Sequence, residues 1–354
     1  MKSISIFPEV NASIKSVSKI YQNIFTFQDI FKDCGLSFYY YSCPVLPVPF
    51  FKLILSQYIY FPFFVKKHAG RVNHFLSSHP HLLFFVPTDA LSIIDIHHVP
   101  IEENRLLQNK IYTALARKGL QRAAQIIVPS LFTKKELELK MAIPSENITV
   151  IQHGVDHNLF FPRKKNDMRD ILHLPKDKKI FLHVGSELRR KNIERFFYVF
   201  SQIVKQDDQI VLVRIGHCTK QSRRLLKKLH IDNHVLYREN VSENDLALYY
   251  NAADALIFPS LLEGFGMPLL EAMASGTPII CSDIPAFREI AQDTAWYFDP
   301  KSHHSFFQAI LSFFSDTIKV DVKVCAALRI SQNYSWERCA QERAGVYIHL
   351  FHHA

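Results

Sequence analysis

Short apolar runs alternate with helix-like stretches throughout the second half of the chain, from about residue 178 onward. Strand, helix and strand repeated in this order are typical of a parallel sheet with helices on both faces. We therefore predict that the second half has a Rossmann-like fold. Its predicted strands are 179–185, 209–216, 234–240 and 254–260, and its predicted helices are 192–204, 221–230 and 243–253.

The first half repeats this pattern less regularly, and a polar link at about 157–178 follows it. Since 354 residues are too many for one ordinary core, the length favours two domains, predicted at 1–160 and 161–332. Ligands of open α/β sheets bind outside the carboxyl ends of the strands, so we expect the chemistry in a cleft between the domains. The strands predicted for the first half are 81–86, 90–95, 125–130 and 147–156, with helices near 105–121 and 131–141.

The formal net charge of +9 favours anionic partners such as phosphorylated small molecules, anionic lipid or nucleic acid. Nucleic acid is the weaker choice because the chain has neither a zinc-finger nor an RNP1-like motif. The six cysteines form no C-x-x-C pair, which indicates reduced thiols in a cytosolic protein rather than a zinc or redox site. The N-terminal apolar run is too short for a signal peptide, so we expect the protein to stay in the cytosol.

The segment 45–71 is dense in aromatic and aliphatic residues and then turns basic at Lys66, Lys67 and Arg71. Prolines and polar residues interrupt it, so it lacks the roughly 18 uninterrupted apolar residues that a membrane span requires. Two interpretations remain open. The segment either lies against the inner face of an anionic membrane or forms a buried helix with a solvated basic end.

Residues 260–280 read SLLEGFGMPLLEAMASGTPII and predict a strand end, a glycine loop and a helix. Pro268 suits the first helical position and Gly276 the end of the helix, so we expect Glu271 in the first turn and Glu263 on the preceding loop. Backbone N–H groups around Gly266, a helix dipole and two carboxylates would then lie together. Such an arrangement can hold a phosphate and a polyol at once.

Cations follow the first strand of the same domain, in the stretch HVGSELRRKN at 183–192. Gly185 ends the strand, and Arg189, Arg190 and Lys191 come next. By itself this stretch is typical of a solvated basic loop. Its position at a strand end instead favours a site for an anionic ligand, at the same edge of the sheet as the two glutamates.

With these motifs the chain resembles the retaining glycosyltransferases of the GT-B architecture, family 4, especially bacterial lipopolysaccharide and capsule enzymes of the mannosyltransferase type. The resemblance covers about residues 70–340 and is strongest in the E-x7-E string from Glu263 to Glu271. It implies two Rossmann-like, doubly wound domains facing a cleft, with a C-terminal helix from about 333 that crosses back to the first domain. Further matching pieces are G-x4-R-K-N at 185–192, QHGVD at 152–156, SDIPAFREIA at 282–291 and YSWERCA at 334–340.

The resemblance also implies roles for individual residues. Glu271 would hold the ribose hydroxyls of a nucleotide sugar, Arg190 and Lys191 would neutralise its diphosphate, and no metal is implied, since the sequence has no D-x-D. The implied catalytic residues are Glu263, Arg190, Lys191 and Asp95. The further donor-binding candidates are Phe265, Gly266, Met267, Leu269, Gly185, Tyr237 and Val241, and the acceptor-side candidates are His97 and His74.

The chain departs from the family pattern where relatives carry a His–Asp pair, because it has Ile94 and Asp95 there. The resemblance implies a hexosyltransferase that uses a nucleotide-diphosphate sugar and a saccharide or lipid-linked acceptor. A nucleotide-sugar-binding protein with impaired catalysis is the alternative, and a polyanion-binding module is a weaker third hypothesis. The sequence leaves open UDP or GDP as the nucleotide and mannose or glucose as the sugar.

Overall fold

The computed structural model describes residues 2–8, 15–41, 61–76, 80–99 and 107–352, and it divides into two compact units. The first unit comprises Met1–Gly154 together with Trp336–Ala354, and the second comprises Val155–Ser335. Each unit contains a six-stranded sheet in which every described strand pair is parallel. The predicted α/β fold class is confirmed.

The first sheet has the strand order β2-β1-β3-β4-β5-β6. Its strands are β1 (Lys2–Pro8), β2 (Leu36–Tyr40), β3 (Val72–Leu76), β4 (Leu91–Asp95), β5 (Gln125–Val128) and β6 (Ile148–Val150). The helices described in this part of the chain are α1 (Lys15–Thr26), α2 (Gln28–Asp33), α3 (Phe61–His68), α4 (Leu107–Leu120) and α5 (Leu131–Met141). Ser130 caps α5, because its hydroxyl accepts a hydrogen bond from the N–H of Thr133 at 3.0 Å.

The second sheet has the strand order β12-β11-β10-β7-β8-β9. Its strands are β7 (Lys179–Val184), β8 (Ile210–Ile215), β9 (Val235–Arg238), β10 (Ala255–Phe258), β11 (Ile279–Ser282) and β12 (Trp296–Phe298). The helices are α6 (Lys165–Ile171), α7 (Ile193–Gln206), α8 (Lys220–Lys228), α9 (Glu243–Ala252), α10 (Met267–Ala274), α11 (Pro285–Ala291), α12 (His303–Ser315) and α13 (Thr317–Ser331).

The second sheet is covered on both faces. Leu212 and Val213 are neighbours in β8, yet they belong to different apolar clusters, one on each side of the sheet. This double burial explains why the strands are nearly continuous runs of aliphatic residues. It also places the carboxyl ends of β7, β8 and β10 at one edge, where the loops carry the predicted donor site.

The last helix, α14 (Trp336–His352), packs against α1 and α2 of the first unit. Its buried residues include Arg343 and Tyr347, which face the interior of that unit. The predicted return of the C-terminal helix to the first domain is therefore confirmed. No helix in the described ranges is both long and apolar enough to span a bilayer.

Two predictions about local structure were wrong. Residues 81–86 were expected as a strand, but Pro80–Phe85 forms a 3₁₀ helix, because an unbroken apolar run fits a buried turn as well as a strand. A Cβ atom on Gly119 would lie 2.1 Å from the carbonyl oxygen of Pro80, so this glycine permits the close approach of α4. The stretch 157–178, expected as a polar link, includes the helix α6.

Within the predicted membrane-facing segment 45–71, residues 45–60 lie outside the described residues. The remainder forms α3, which packs against the 3₁₀ helix at Pro80–Phe85. Phe63, Lys66 and Lys67 are exposed, whereas Val65 is buried.

Candidate active site

The loop after β7 carries two cations at the carboxyl edge of the second sheet. Gly185 ends the strand with φ of +140°, a conformation that favours glycine. A short 3₁₀ turn, Arg189–Lys191, follows and ends at Asn192, which is left-handed with φ of 58°. The Asn192 amide donates a hydrogen bond to the carbonyl of Pro259 at 3.1 Å. This bond fixes the turn to the loop after β10.

Glu263 lies at the centre of the cluster that these loops form. Its Oε1 accepts hydrogen bonds from Lys191 Nζ at 2.5 Å and from the Ser260 hydroxyl at 2.7 Å. Its Oε2 accepts from Arg190 Nη1 at 2.8 Å. Only 5% of Glu263 is exposed and 8% of Lys191, so the carboxylate and the ammonium group are both withdrawn from water.

The charges of this cluster depend on one another. Burial alone would raise the pKa of Glu263, but the cations of Lys191 and Arg190 hold it below its usual value. Burial lowers the pKa of Lys191, and Glu263 opposes that shift. With two cations and one carboxylate, the cluster keeps a net positive charge that suits a diphosphate.

The glycine loop leads into α10 as predicted. Gly266 has φ of +133°, and a Cβ atom there would lie 3.2 Å from the Phe287 ring. The N–H groups of Gly266 and Met267 have no partner among the described residues, which leaves them available to an anion. The N–H of Leu269 is different, since it donates to the carbonyl of Gly266 at 2.9 Å. Leu269 was expected among the donor-binding residues, but its amide is already used within the helix.

Phe265 precedes this helix and is also buried, at 5% exposed. Its ring makes an edge contact with Tyr334, the two centroids being 6.2 Å apart. Phe265 therefore contributes to packing beneath the loop, and its backbone remains the part predicted to approach a donor.

Glu271 is the fifth residue of α10, so the prediction that it lies in the first helical turn was wrong. The helix begins at Met267, because Gly266 ends the loop with positive φ. The carboxylate is buried and its Oε2 accepts a hydrogen bond from the Tyr250 hydroxyl at 2.7 Å. Lys191, Arg190 and Glu263 thus share one cluster, while Glu271 is held by a tyrosine that the sequence did not single out.

Tyr237, one of the donor-binding candidates, is the third residue of β9. Its hydroxyl donates to Glu187 Oε1 at 2.8 Å, and Glu187 Oε2 accepts from the N–H of Thr219 at 3.0 Å. Burial and the Glu187 charge raise the pKa of Tyr237 far above its ordinary value. Val241 is partly buried and packs against the apolar core.

Arg214 was missed by sequence analysis, although it stands out as the one charged residue in the apolar run of β8. It is fully buried, and its Nη1 donates to the carbonyl of Ile215. A Cβ atom on Gly216 would lie 2.7 Å from that nitrogen, so the glycine makes room for the guanidinium. Burial lowers the pKa of Arg214 from its usual value.

The first unit contains a second polar cluster, centred on Asp95 at the end of β4. The Asp95 carboxylate is buried, and four donor atoms lie close to its two oxygens. His74 Nε2 at 2.9 Å and Arg343 Nη1 at 3.2 Å contact Oδ1, while the Tyr21 hydroxyl at 2.6 Å and Arg343 Nη2 at 2.8 Å contact Oδ2. Burial opposes ionisation, but Arg343 and His74 hold the pKa of Asp95 far below its ordinary range.

This geometry favours a positioning role for Asp95 over the predicted catalytic one, because four donors already occupy its oxygens. His74 is enclosed as well, since its second ring nitrogen, Nδ1, lies 2.7 Å from the Tyr347 hydroxyl. His97 lies beside the cluster with 9% of its surface exposed, and its Nε2 is 3.2 Å from the Tyr21 hydroxyl. Tyr21, Arg343 and Tyr347 carry no motif that would have identified them in the sequence.

Two family models match the chain and together cover most of it. The model described as "Glycosyl transferases group 1" matches residues 164–328, and the model described as "Glycosyltransferase Family 4" matches residues 37–159. The first match contains the cluster around Glu263. The second contains Asp95, His74 and His97, whereas Tyr21, Arg343 and Tyr347 of the same cluster lie outside it.

A similar relative is the O-antigen chain mannosyltransferase RfbU of Salmonella typhimurium, which is 30% identical over 206 residues. The match covers 58% of this chain and spans about 55% of that relative's length. Among solved structures, sucrose-phosphate synthase from Thermosynechococcus elongatus has a TM-score of 0.80 at 21% identity, with 100% of both chains covered. Anabaena HepE in complex with UDP and glucose has a TM-score of 0.77 at 15% identity and covers 98% of this chain and 99% of its own. These two likenesses show the shared fold.

Proposed function

The chain belongs to the family 4, group 1 glycosyltransferases, and from that premise we propose that it is a retaining hexosyltransferase. It moves a hexose from a nucleotide-diphosphate sugar to a saccharide or lipid-linked acceptor in cell-envelope polysaccharide synthesis. The observation that carries this proposal is the buried cluster in which Arg190 and Lys191 hold Glu263 at the start of the glycine loop.

Breaking a glycosyl–phosphate bond leaves growing negative charge on the departing nucleoside diphosphate. Arg190, Lys191 and the N–H groups of Gly266 and Met267 are donors held in place before the reaction, which is the arrangement that stabilises developing charge most effectively. These groups take the place of a divalent cation in the proposal. Transfer should therefore persist in excess EDTA, and loss of activity that Mg²⁺ or Mn²⁺ restores would contradict this part of it.

The remaining donor contacts follow from the same loops. Glu271 is proposed to accept hydrogen bonds from the ribose hydroxyls, with the Tyr250 hydroxyl fixing one carboxylate oxygen. A carboxylate that accepts from two vicinal hydroxyls is how dinucleotide-binding folds hold ribose. Tyr237 and Glu187, which are bonded to each other, are proposed to border the base.

Two donors are the leading candidates. RfbU is named as a mannosyltransferase, which favours mannose, whereas the HepE complex contains UDP and glucose. GDP-mannose and UDP-glucose are therefore the sugar nucleotides to test first.

The test combines binding with turnover on the full chain. A ligand at a hundred times its dissociation constant adds ~2.7 kcal/mol to the stability of the folded state, so a thermal-shift screen with UDP and GDP identifies the nucleotide. Incubation with each labelled sugar nucleotide then reveals transfer to a saccharide or slow hydrolysis. A chain that is stabilised by neither nucleotide and that releases no sugar from either donor would overturn the proposal.

One observation favours a second function. Ile94 stands where the family resemblance leads us to expect a histidine, and it is fully buried in the core of the first unit. A nucleotide-sugar-binding protein without catalysis would show the thermal shift but no product. Detectable transfer or hydrolysis excludes this alternative.

We also propose peripheral contact with an anionic membrane through α3 and the neighbouring 3₁₀ helix. Phe63 is 69% exposed, and Phe84 and Phe85 are exposed on the 3₁₀ helix. Lys66 and Lys67 are exposed on α3. Exposed aromatic rings beside cations suit an interface with anionic lipid. Flotation with vesicles containing phosphatidylglycerol should recover the protein, and the double substitution Lys66→Glu with Lys67→Glu should prevent it; equal recovery of both proteins would contradict the contact.

A further inference from the structure

The hydrogen bond between Tyr21 and His97 has a fixed direction. Asp95 is ionised, because Arg343 and His74 stabilise its negative charge, and an ionised carboxylate can only accept hydrogen bonds. The Tyr21 hydroxyl, 2.6 Å from Asp95 Oδ2, must therefore donate its proton to that oxygen. The Tyr21 oxygen can therefore only accept a hydrogen bond from His97.

His97 Nε2, at 3.2 Å from that oxygen, must then be the donor. Burial lowers the pKa of His97 to about 4, so the ring is neutral near pH 7 and carries a single N–H. With the proton on Nε2, Nδ1 keeps a free lone pair. No described residue bonds to Nδ1.

The position of His97 suits contact with a ligand. It follows the end of β4 by two residues, and its ring is 5.3 Å from that of His153, which follows the end of β6. Open parallel sheets bind their ligands at this carboxyl edge. A bare imidazole nitrogen accepts hydrogen bonds, so it matches a hydroxyl group; it does not match a phosphate oxygen, which has no proton to give.

We infer that His97 Nδ1 accepts a hydrogen bond from the reacting hydroxyl of the saccharide acceptor. Tyr21 and Asp95 are positioning residues that hold the ring and keep its proton on Nε2. The inference rests on the proposed function, since it names the acceptor-side contact of that reaction.

Two substitutions separate this role from a structural one. The amide oxygen of His97→Asn can occupy the place of Nδ1 but the side chain is too short to contact Tyr21. The amide nitrogen of His97→Gln can reach Tyr21, but that side chain places no acceptor where Nδ1 lies. We expect the KM for methyl α-mannoside to stay within about twofold for His97→Asn and to rise roughly fivefold for His97→Gln, the size of one neutral hydrogen bond. The same ranking applies to donor hydrolysis, in which water supplies the hydroxyl.

His98→Gln is the matched control, because His98 is the exposed neighbour, and its kinetics should equal those of the unsubstituted chain. A purely structural His97 would give the opposite ranking, with His97→Gln near normal and His97→Asn impaired. That ranking, or equal effects of both substitutions, overturns the inference while leaving the proposed function intact.

A second measurement needs no turnover. In ¹⁵N-histidine NMR spectra at pH 7, assigned by the signal that His97→Gln removes, we expect His97 as the neutral Nε2–H tautomer. An Nδ1–H tautomer or an imidazolium overturns the inference. Failure of the unsubstituted chain to transfer or hydrolyse GDP-mannose or UDP-glucose refutes the proposed function instead, and the spectra distinguish the two failures.

Discussion

Replacing Lys191 with alanine tests the candidate donor site most directly. Its ammonium group donates to Glu263 Oε1 at 2.5 Å and lies 4.9 Å from the centre of the Phe258 ring, with 8% of the residue exposed. If this cation stabilises the departing diphosphate, its removal costs about 2.7–4 kcal/mol in the transition state. The turnover number should then fall by about 10²- to 10³-fold, with less than about a tenfold change in donor affinity.

Stability should change much less than turnover. In Lys191→Ala, Glu263 keeps the Arg190 guanidinium at 2.8 Å and the Ser260 hydroxyl at 2.7 Å, so the buried carboxylate is not left without partners. We expect a loss of about 1.5–3 kcal/mol in the free energy of unfolding, the range for one lost hydrogen bond to a charged group. Urea unfolding followed by circular dichroism measures this loss and confirms that the variant is folded.

Lys179→Ala provides the matched control, because it removes another lysine–carboxylate contact from the same unit. Lys179 Nζ lies 2.7 Å from Asp207, and the two side chains are 48% and 32% exposed. Exposed pairs of this kind contribute about 0–1 kcal/mol, so turnover should be unchanged. A folded Lys191→Ala protein whose turnover stays within twofold of the control would refute the assignment of Lys191 to the diphosphate.

Three further predictions concern Glu271 and the cluster around Asp95. Glu271→Ala should weaken nucleoside diphosphate binding by about 1.5–3 kcal/mol in calorimetry, since hydroxyl contacts to a charged group are lost; unchanged affinity would count against the ribose role. Arg343→Met should lower the free energy of unfolding by about 3–5 kcal/mol, because Asp95 would lose both guanidinium contacts, and a loss below 1 kcal/mol would contradict this. The folded pKa of His97, about 4, lies below its unfolded value near 6.5, so the stability that depends on the neutral ring is complete above pH 6.5 and is lost as the pH falls towards 4. Burial makes the largest contribution to this pKa shift. In addition, the negative charge of Asp95 raises the pKa of His97 and the positive charge of Arg343 lowers it. Urea titrations between pH 6.5 and 4 measure how much free energy of unfolding each protein loses. His97→Gln should lose less than the unsubstituted chain, by about 3 kcal/mol at most, and equal losses in the two proteins would contradict the pKa shift.

Sequence patterns predicted β7, β8, β9 and β10 of the second sheet, because these strands are apolar runs separated by helix-like stretches, but they did not predict β11 and β12. The loop residues Gly185 and Gly266 were also predictable, since positive φ at a strand or loop end favours glycine. The first half was harder to predict. Strands β1, β2 and β3 were not predicted, because they are short segments among other apolar runs. One of those runs, at 81–86, forms a 3₁₀ helix instead of a strand.

The side chains that complete each cluster come from distant parts of the chain, which limits prediction from one sequence. Tyr250 contacts Glu271 from α9, and Arg343 reaches Asp95 across 248 positions of sequence. Neither residue belongs to a recognisable motif, so only the packing of elements identifies them. Glu187 and Arg214 are closer in sequence to their partners. They were missed because nothing in the sequence distinguishes Glu187 from other loop residues or shows what Arg214 contacts.

The return of α14 to the first unit bears on how the protein is made. A ribosome releases residues in order, and domains that occupy one continuous stretch can fold as they emerge. The second unit occupies one such stretch, Val155–Ser335, but the first unit has to wait for Arg343 before Asp95 gains its buried counterion. The second unit should therefore finish folding before the first unit does. This order is the reverse of the usual one in co-translational folding, in which the N-terminal domain folds first.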